Sequence, residues 1–258
     1  MTFLNILTSP LEQFQVLPIV TLYFGFFDIS LTNETIILFL ITFFTLVLIC
    51  SLSKKSDNSF SIIPNRWQSI LEIIYKLILS LVTDNIKDKN SQKFFPLVFS
   101  IFLLLLSINL IGLIPFSFTL TSHLIVTLSL SLAIFIGINI VCIRIHGMHF
   151  FSLFLPSGTS VVLAFLLVPI ELISYIFKPI SLSIRLFANM MAGHTLLKVI
   201  AGFAFTLMSG GGVLFFLHYV PLLILIPLFG LELGVALIQS FVFSILICIY
   251  LNDGINLH

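Results

Sequence analysis

A few side chains in an otherwise apolar stretch are of types that could hold or move protons. Ser181 to Lys198 reads SLSIRLFANMMAGHTLLK, with Arg185, Asn189, His194 and Lys198 set between long runs of Leu, Ile, Phe and Val. A cation in hydrocarbon costs about 2.5–3.5 kcal/mol on insertion scales, so a chain that keeps one there uses it. Carboxylates and imidazoles can exchange protons, and Glu171, His194 and Glu232 are of these types. Arg185 is not, because a guanidinium stays charged. It can hold a neighbouring carboxylate ionised and block a proton leak. At about 100° per residue, Glu171, Lys178 and Arg185, spaced by seven, and Asn189, four further on, fall on one stripe. His194, nine residues past Arg185, points to nearly the opposite side, about 13.5 Å along the axis, and Lys198 lies about 19.5 Å along it. Glu232 and Gln239, seven apart, share a face of another segment. The pattern describes two proton half-paths with an electrostatic plug between them: an acid on one side, a fixed cation, and a His/Glu set on the other. Duller readings stay open from spacing alone. His194 can be a hydrogen-bonded core residue, and Glu171 with Lys178 a structural polar stripe. Lys198 and His218 read as interface side chains that snorkel, and His123, His146 and His149 as solvated loop or helix-end residues.

Composition says what kind of scaffold holds these groups. The chain has 258 residues, 59% hydrophobic and 8% charged, where a soluble domain has about 25% charged residues. It is an integral membrane protein with several spans. A net charge of +1 gives no footing for nucleic acid. Cys50, Cys142 and Cys248 form no CxxC pair, so neither a metal site nor a disulfide framework is expected. There is no P-loop and no GxGxxG, so no cofactor is expected. The excess of Phe (29 residues), Leu and Ile resembles an A/T codon bias of the kind an organelle genome has. The opening MTFLNILTSP lacks the basic n-region of a secretory signal.

Residues 1–34 read as a lead-in broken by Pro10, Pro18 and Gly25, and 35–52 as the first span, near the lower length limit. Residues 53–93 then hold seven of the eleven basic residues, which puts this loop on the cytoplasmic or matrix side and the N-terminus opposite. Inside it, Trp67 to Ile86 has Ile70, Ile73, Ile74, Leu77 and Leu81 at helical spacing, an amphipathic interfacial helix with Trp67 and Tyr75 as anchors. Residues 94–146 read as a helical hairpin that returns to the basic side at Arg144. From 159 to 207 no clear loop is present. One helix of some 45 residues would be about 65–70 Å long against a hydrocarbon core of about 30 Å. Two spans joined at Lys178 to Arg185, or one tilted helix bent at Pro169 and Pro179, fit the periodicity about equally. The run 213–251 repeats the oddity, and two long helices pairing as a hairpin would let each satisfy the other's buried polar groups.

These segments closely resemble subunit a of the F-type ATP synthase, in its plant, algal and protist mitochondrial forms. The likeness rests on SLSIRLFANMMAGHTLLK, on GLELGVALIQSFVFSILICIYLNDGINLH and on ELISYIFKPISLSIR. It extends more weakly over the whole chain, through SPLEQF and NLIGLIPFSFT. It implies an all-α membrane domain over 1–258, with about five crossings, an amphipathic helix and two long, steeply tilted C-terminal helices. It implies a non-catalytic, proton-conducting stator subunit of the Fo sector that couples proton flow to rotation and ATP synthesis. Arg185 would face the carboxylate of the c-subunit ring. His194 and Glu232 would serve the half-channel from the intermembrane space, and Glu171 the half-channel to the matrix. Asn189 and Gln239, with Lys178 and Ser181, would support the path. The implied partners are the c-subunit ring, the peripheral stalk and other Fo subunits, the lipid bilayer, and a second synthase in a dimer. The implied location is the mitochondrial inner membrane, N-terminus toward the intermembrane space and C-terminus toward the matrix, with a short leader in some members that would end here near Thr8 and Ser9. Readings of other classes are a stand-alone proton channel or secondary transporter, or a structural anchor whose buried charges merely pair.

Overall fold

Apolar runs that must leave water form the elements, and the few polar side chains decide how those elements pair. The computed structural model describes residues 12–24, 27–28, 30–53, 66–86, 91–114, 117–147, 150 and 161–255. Thr8 and Ser9, where a leader is expected to end, Lys54, Lys55, Lys87, Lys89, His149 and most of the connection before 161 lie outside them.

The lead-in carries regular structure that its Pro and Gly content did not suggest. Strands β1 (Pro18–Val20) and β4 (Leu31–Thr32) pair antiparallel, as do β2 (Tyr23–Phe24) and β3 (Phe27–Asp28). Asn33 ties this ribbon to α1 (Asn33–Ser53). Its Oδ1 accepts from the Leu17 N–H at 3.2 Å and from the Glu34 N–H at 3.0 Å, and its Nδ2 donates to the Gln15 carbonyl at 3.2 Å. An Asn at a helix start is suited to this, since the first-turn N–H groups have no partner within the helix.

Helix α2 (Arg66–Asn85) is the expected amphipathic helix, but turned about its axis. Ile78, Leu81 and Val82 are its buried face, in one core with Val98 and Phe99 of α3 (Phe95–Gly112) and Phe243 and Ile247 of α7 (Tyr219–Ile255). Ile70, Ile73 and Leu77 are exposed instead. A helix apolar on two sides suits an interface where one side meets protein and the other lipid. Tyr75 sets its ring edge-on to Phe95, centroids 4.8 Å apart.

Helix α4 (Leu124–His146) returns alongside α5 (Val161–Ser209), which is a single helix of 49 residues, about 73 Å long. The two-span reading of this segment is therefore replaced by one helix with Pro169 and Pro179 inside it. Each proline leaves one carbonyl of the preceding turn without its helical donor, which bends a helix without ending it. Gly211 and Gly212, with φ of 65° and 60°, make the turn that follows, a conformation that side chains with a Cβ resist.

The run from 213 is not one helix. A short α6 (Val213–Leu217) stops at His218, and α7 continues past the expected limit of Leu251 to Ile255. Pro221 explains the break: it has no N–H to offer the Leu217 carbonyl. His218 is buried and hydrogen-bonds through Nδ1 with the Phe215 carbonyl, its ring between Phe215 and Tyr219. It does not snorkel. At the other end, His146 Nε2 donates to the Ile255 carbonyl at 2.8 Å, satisfying a terminal carbonyl of α7.

Among the described residues, five helical stretches are long and apolar enough to cross a membrane: Asn33–Cys50, Phe95–Gly112, Leu124–His146, Ala164–Ser209 and Phe215–Ile255, the last including the break at His218. Large apolar side chains stand exposed along all of them, a surface that water-soluble monomers do not present. The architecture is an all-α membrane fold closed by a C-terminal hairpin of two long helices.

Candidate functional site

Pairs of polar side chains lock α5 against α7 in antiparallel register. Going up α5, Lys178 meets Asp253, Asn189 meets Gln239 and His194 meets Glu232, so the partner number falls as the α5 number rises. The Asn189 Nδ2 donates to the Gln239 Oε1 at 3.3 Å. The His194 Nε2 and Glu232 Oε1 lie 3.6 Å apart, with their side chains only 15% and 5% exposed. That separation is just beyond direct hydrogen-bond range.

Gly193 makes this pairing feasible. A Cβ built there would sit 2.5 Å from Glu232 Oε1 and 2.9 Å from its Cδ. The carboxylate thus crosses the bare backbone of α5 to reach the neighbouring His194. This corrects the helical projection, which put His194 nearly opposite the stripe of Asn189. Both residues flank the same glycine-floored seam and both reach α7.

The seam holds a cavity of about 240 Å³, lined among others by Asn109, Asn189, Gly193, Glu232 and Gln239. Asn109 comes from α3, is fully buried, and donates through Nδ2 to the Ala236 carbonyl at 3.3 Å. Its Oδ1, both Glu232 oxygens, the Gln239 Nε2 and the His194 Nε2 have no hydrogen-bond partner among the described residues. Buried polar atoms are rarely left so. The lining is mostly apolar, and the unpaired Asn109, Glu232 and Gln239 atoms are the points in it to which water can bond.

Arg185 faces elsewhere. It is exposed and takes part in no hydrogen bond or ion pair among the described residues. It lines an open groove of about 260 Å³ with Ser174, Lys178, Ser181, Leu246 and Tyr250. Groove and cavity share no lining residue, and the boundary on α5 falls between Arg185 and Leu186. Lys178 lies 5.2 Å from the centre of the Tyr175 ring and 5.0 Å from that of Tyr250, and 3.8 Å from Asp253. Glu171, two turns below Lys178, is partly exposed and lines neither space.

The sequence reading did not single out Asn109, Gly193, Tyr250 or Asp253. Asn109 had a signal, a lone amide within an apolar run. Asp253 lay just beyond the assumed end of the last helix. The need for Gly193 exists only once α7 is in place.

A polytopic helical membrane protein with a buried His–Glu pair on a polar seam, and a cation free on an open face of the same helix, belongs to the class that conducts ions. Comparison with known proteins makes the class specific. The profile of the family described as ATP synthase A chain matches residues 35–252. ATP synthase subunit a of Pylaiella littoralis is 54% identical over 250 residues, covering 97% of this chain and 99% of that one. That of Marchantia polymorpha is 50% identical over 252 residues, covering 97% and 99%, and that of Chondrus crispus 50% over 253 residues, covering 98% of each. The chain belongs to the ATP synthase A chain family, the proton-translocating stator subunit of the Fo sector.

Proposed function

We propose that the α5–α7 hairpin presents two offset proton half-paths to the carboxylate of a c-subunit ring, with Arg185 between them. The observation that carries this reading is the separation of two spaces along one helix. One is a partly enclosed cavity lined by Asn109, Glu232 and Gln239, each with an unpaired atom, and His194 lies 3.6 Å from its Glu232. The other is an open groove bearing Arg185. A proton reaches the ring carboxylate by way of His194 and Glu232 and neutralises it. The neutral site turns through lipid. It returns to lose its proton toward Glu171, then passes Arg185 ionised. Asn189 and Gln239 hold the wall between cavity and groove, and Ser181 and Lys178 line the groove. Each 100 mV of driving potential supplies about 2.3 kcal/mol per charge, so several protons serve each ATP.

The setting follows from the same reading. The subunit works beside the c-ring, the peripheral stalk and other Fo subunits, in lipid, within a synthase that pairs as a dimer. It does no bond chemistry itself. Its place is the mitochondrial inner membrane, with the N-terminus toward the intermembrane space. The basic residues around α2 and the C-terminus face the matrix, as the excess of Lys and Arg there favours.

Glu232→Gln, measured as ATP-driven proton pumping by the assembled complex, tests the reading. Pumping should be lost while the c-ring still co-purifies. Pumping at the parent rate would refute the role of the cavity.

A further inference from the structure

Three further buried polar atoms have no hydrogen-bond partner among the described residues: the Thr119 and Thr121 hydroxyls and the His123 Nε2. They fall within five residues, in the turn between α3 and α4, and the proton path proposed above uses none of them. Thr119 and Thr121 are 4% and 3% exposed. Neighbouring hydroxyls show that local satisfaction is available there. Ser122 donates to the Thr119 carbonyl at 2.6 Å, Ser117 to the Ile111 carbonyl at 2.7 Å and Thr127 to the Leu124 carbonyl at 3.1 Å. Hydroxyls in turns ordinarily bond nearby backbone in this way, and Thr119 and Thr121 do not.

The turn adjoins the cavity wall. Thr119 packs on Gly112, where a Cβ would meet its Cγ2 at 3.3 Å. The next residue, Leu113, packs with Met190 and Ala236, both of which line the cavity, and Asn109 lies one turn back on the same helix. One turn beyond His123, the Thr127 hydroxyl meets the Ser183 hydroxyl of α5 at 3.2 Å. The His123 ring stacks on Phe118, centroids 5.2 Å apart. The residue is only partly buried, while its Nε2 is sealed from solvent. An imidazole so placed takes a proton at one nitrogen and releases one from the other, with no net change. The turn follows α3, which starts beside the basic residues, so it lies on the opposite side from them. That is the side from which protons would come.

We propose that Thr119, Thr121 and His123 line the outer reach of the water path that feeds Glu232 and His194, with His123 as the proton-exchanging group at its mouth. The proposal rests on the reading of the cavity as a proton path. In the assembled complex, Thr121→Val and Thr119→Val keep the side-chain shape and remove the hydroxyl. Each slows ATP-driven pumping several-fold, and Thr121→Ser restores it. His123→Gln, which hydrogen-bonds but carries no proton, slows pumping likewise. As an independent probe, Thr121→Cys reacts with a small, membrane-impermeant thiol reagent added from the N-terminal side and pumping falls, whereas Ile136→Cys, on the outward face of α4, and the parent with Cys50, Cys142 and Cys248 are unaffected. Full pumping in the valine and His123→Gln variants, or an unreactive Thr121→Cys in an intact complex, overturns the proposal. If those variants pump normally while Glu232→Gln does not, only the turn's role falls. If Glu232→Gln itself pumps normally, the cavity reading falls with it.

Discussion

Replacing Gly193 by Ala tests whether the close approach of Glu232 to α5 matters for proton movement. The added Cβ would sit 2.5 Å from Glu232 Oε1, whereas ordinary contact begins at 3.4 Å, so the carboxylate must retreat by about 0.9 Å. The His194 to Glu232 separation is now 3.6 Å, just past direct hydrogen-bond range, and the retreat widens it to a gap that one water has to bridge. A positional error near 1 Å can cost about a hundredfold where positioned groups react, and an intervening water that shifts with the carboxylate softens this to about tenfold in pumping rate. The helix itself gains from the change, since Ala is favoured over Gly in a helix interior by about 1 kcal/mol. Loss of activity therefore cannot be blamed on a weakened α5. The assay is ATP-driven acidification of vesicles carrying the assembled complex, with ATP hydrolysis measured beside it. Adding Glu232→Asp, one methylene shorter, should relieve the clash without recovering the rate, because it also draws the carboxylate away from His194. Parent-rate pumping by Gly193→Ala in an intact complex would refute the argument from close approach.

Two other predictions concern the packing of α7 against α5 and α4. Asn189→Ala and Gln239→Ala remove opposite ends of one hydrogen bond, so the double variant should pump no more slowly than the worse single one; additive losses would show that they act separately. Gly254→Ala would drive a Cβ into the Cys142 sulfur, costing about 1–3 kcal/mol as overpacking does. Thermal unfolding of the purified complex should show this loss and its recovery with Cys142→Ala added; no recovery would place the strain elsewhere.

The fold was legible where one chemistry dominated. Apolar runs of spanning length and the basic cluster around α2 outlined the helices before any packing was known, and the family likeness favoured one long α5 over two spans. What could not be read was set by neighbours. Whether Ile74 and Ile78 or Ile70 and Ile73 of α2 face inward depends on where α3 and α7 stand, because both stripes are apolar. The stop at His218 came from the missing N–H of Pro221 within a run that looked uniformly helical. In the site, Glu232 and His194 were recognisable by residue type. That they meet depends on Gly193, whose value lies in the side chain it lacks. Asp253, by contrast, is a plain signal that lies outside the expected helix because α7 runs four residues past Leu251, to Ile255.

The central claim is that Arg185 works as a fixed charge separating two paths, while His194, Glu232 and Glu171 exchange protons. Arg185→Lys and Arg185→Ala, each in a complex that retains its c-ring, test it through proton-driven ATP synthesis and passive proton leak measured on the same vesicles. Both variants should abolish coupled synthesis, and the alanine variant should also leak, because nothing charged then stands between cavity and groove. Normal coupled synthesis in either variant would contradict it.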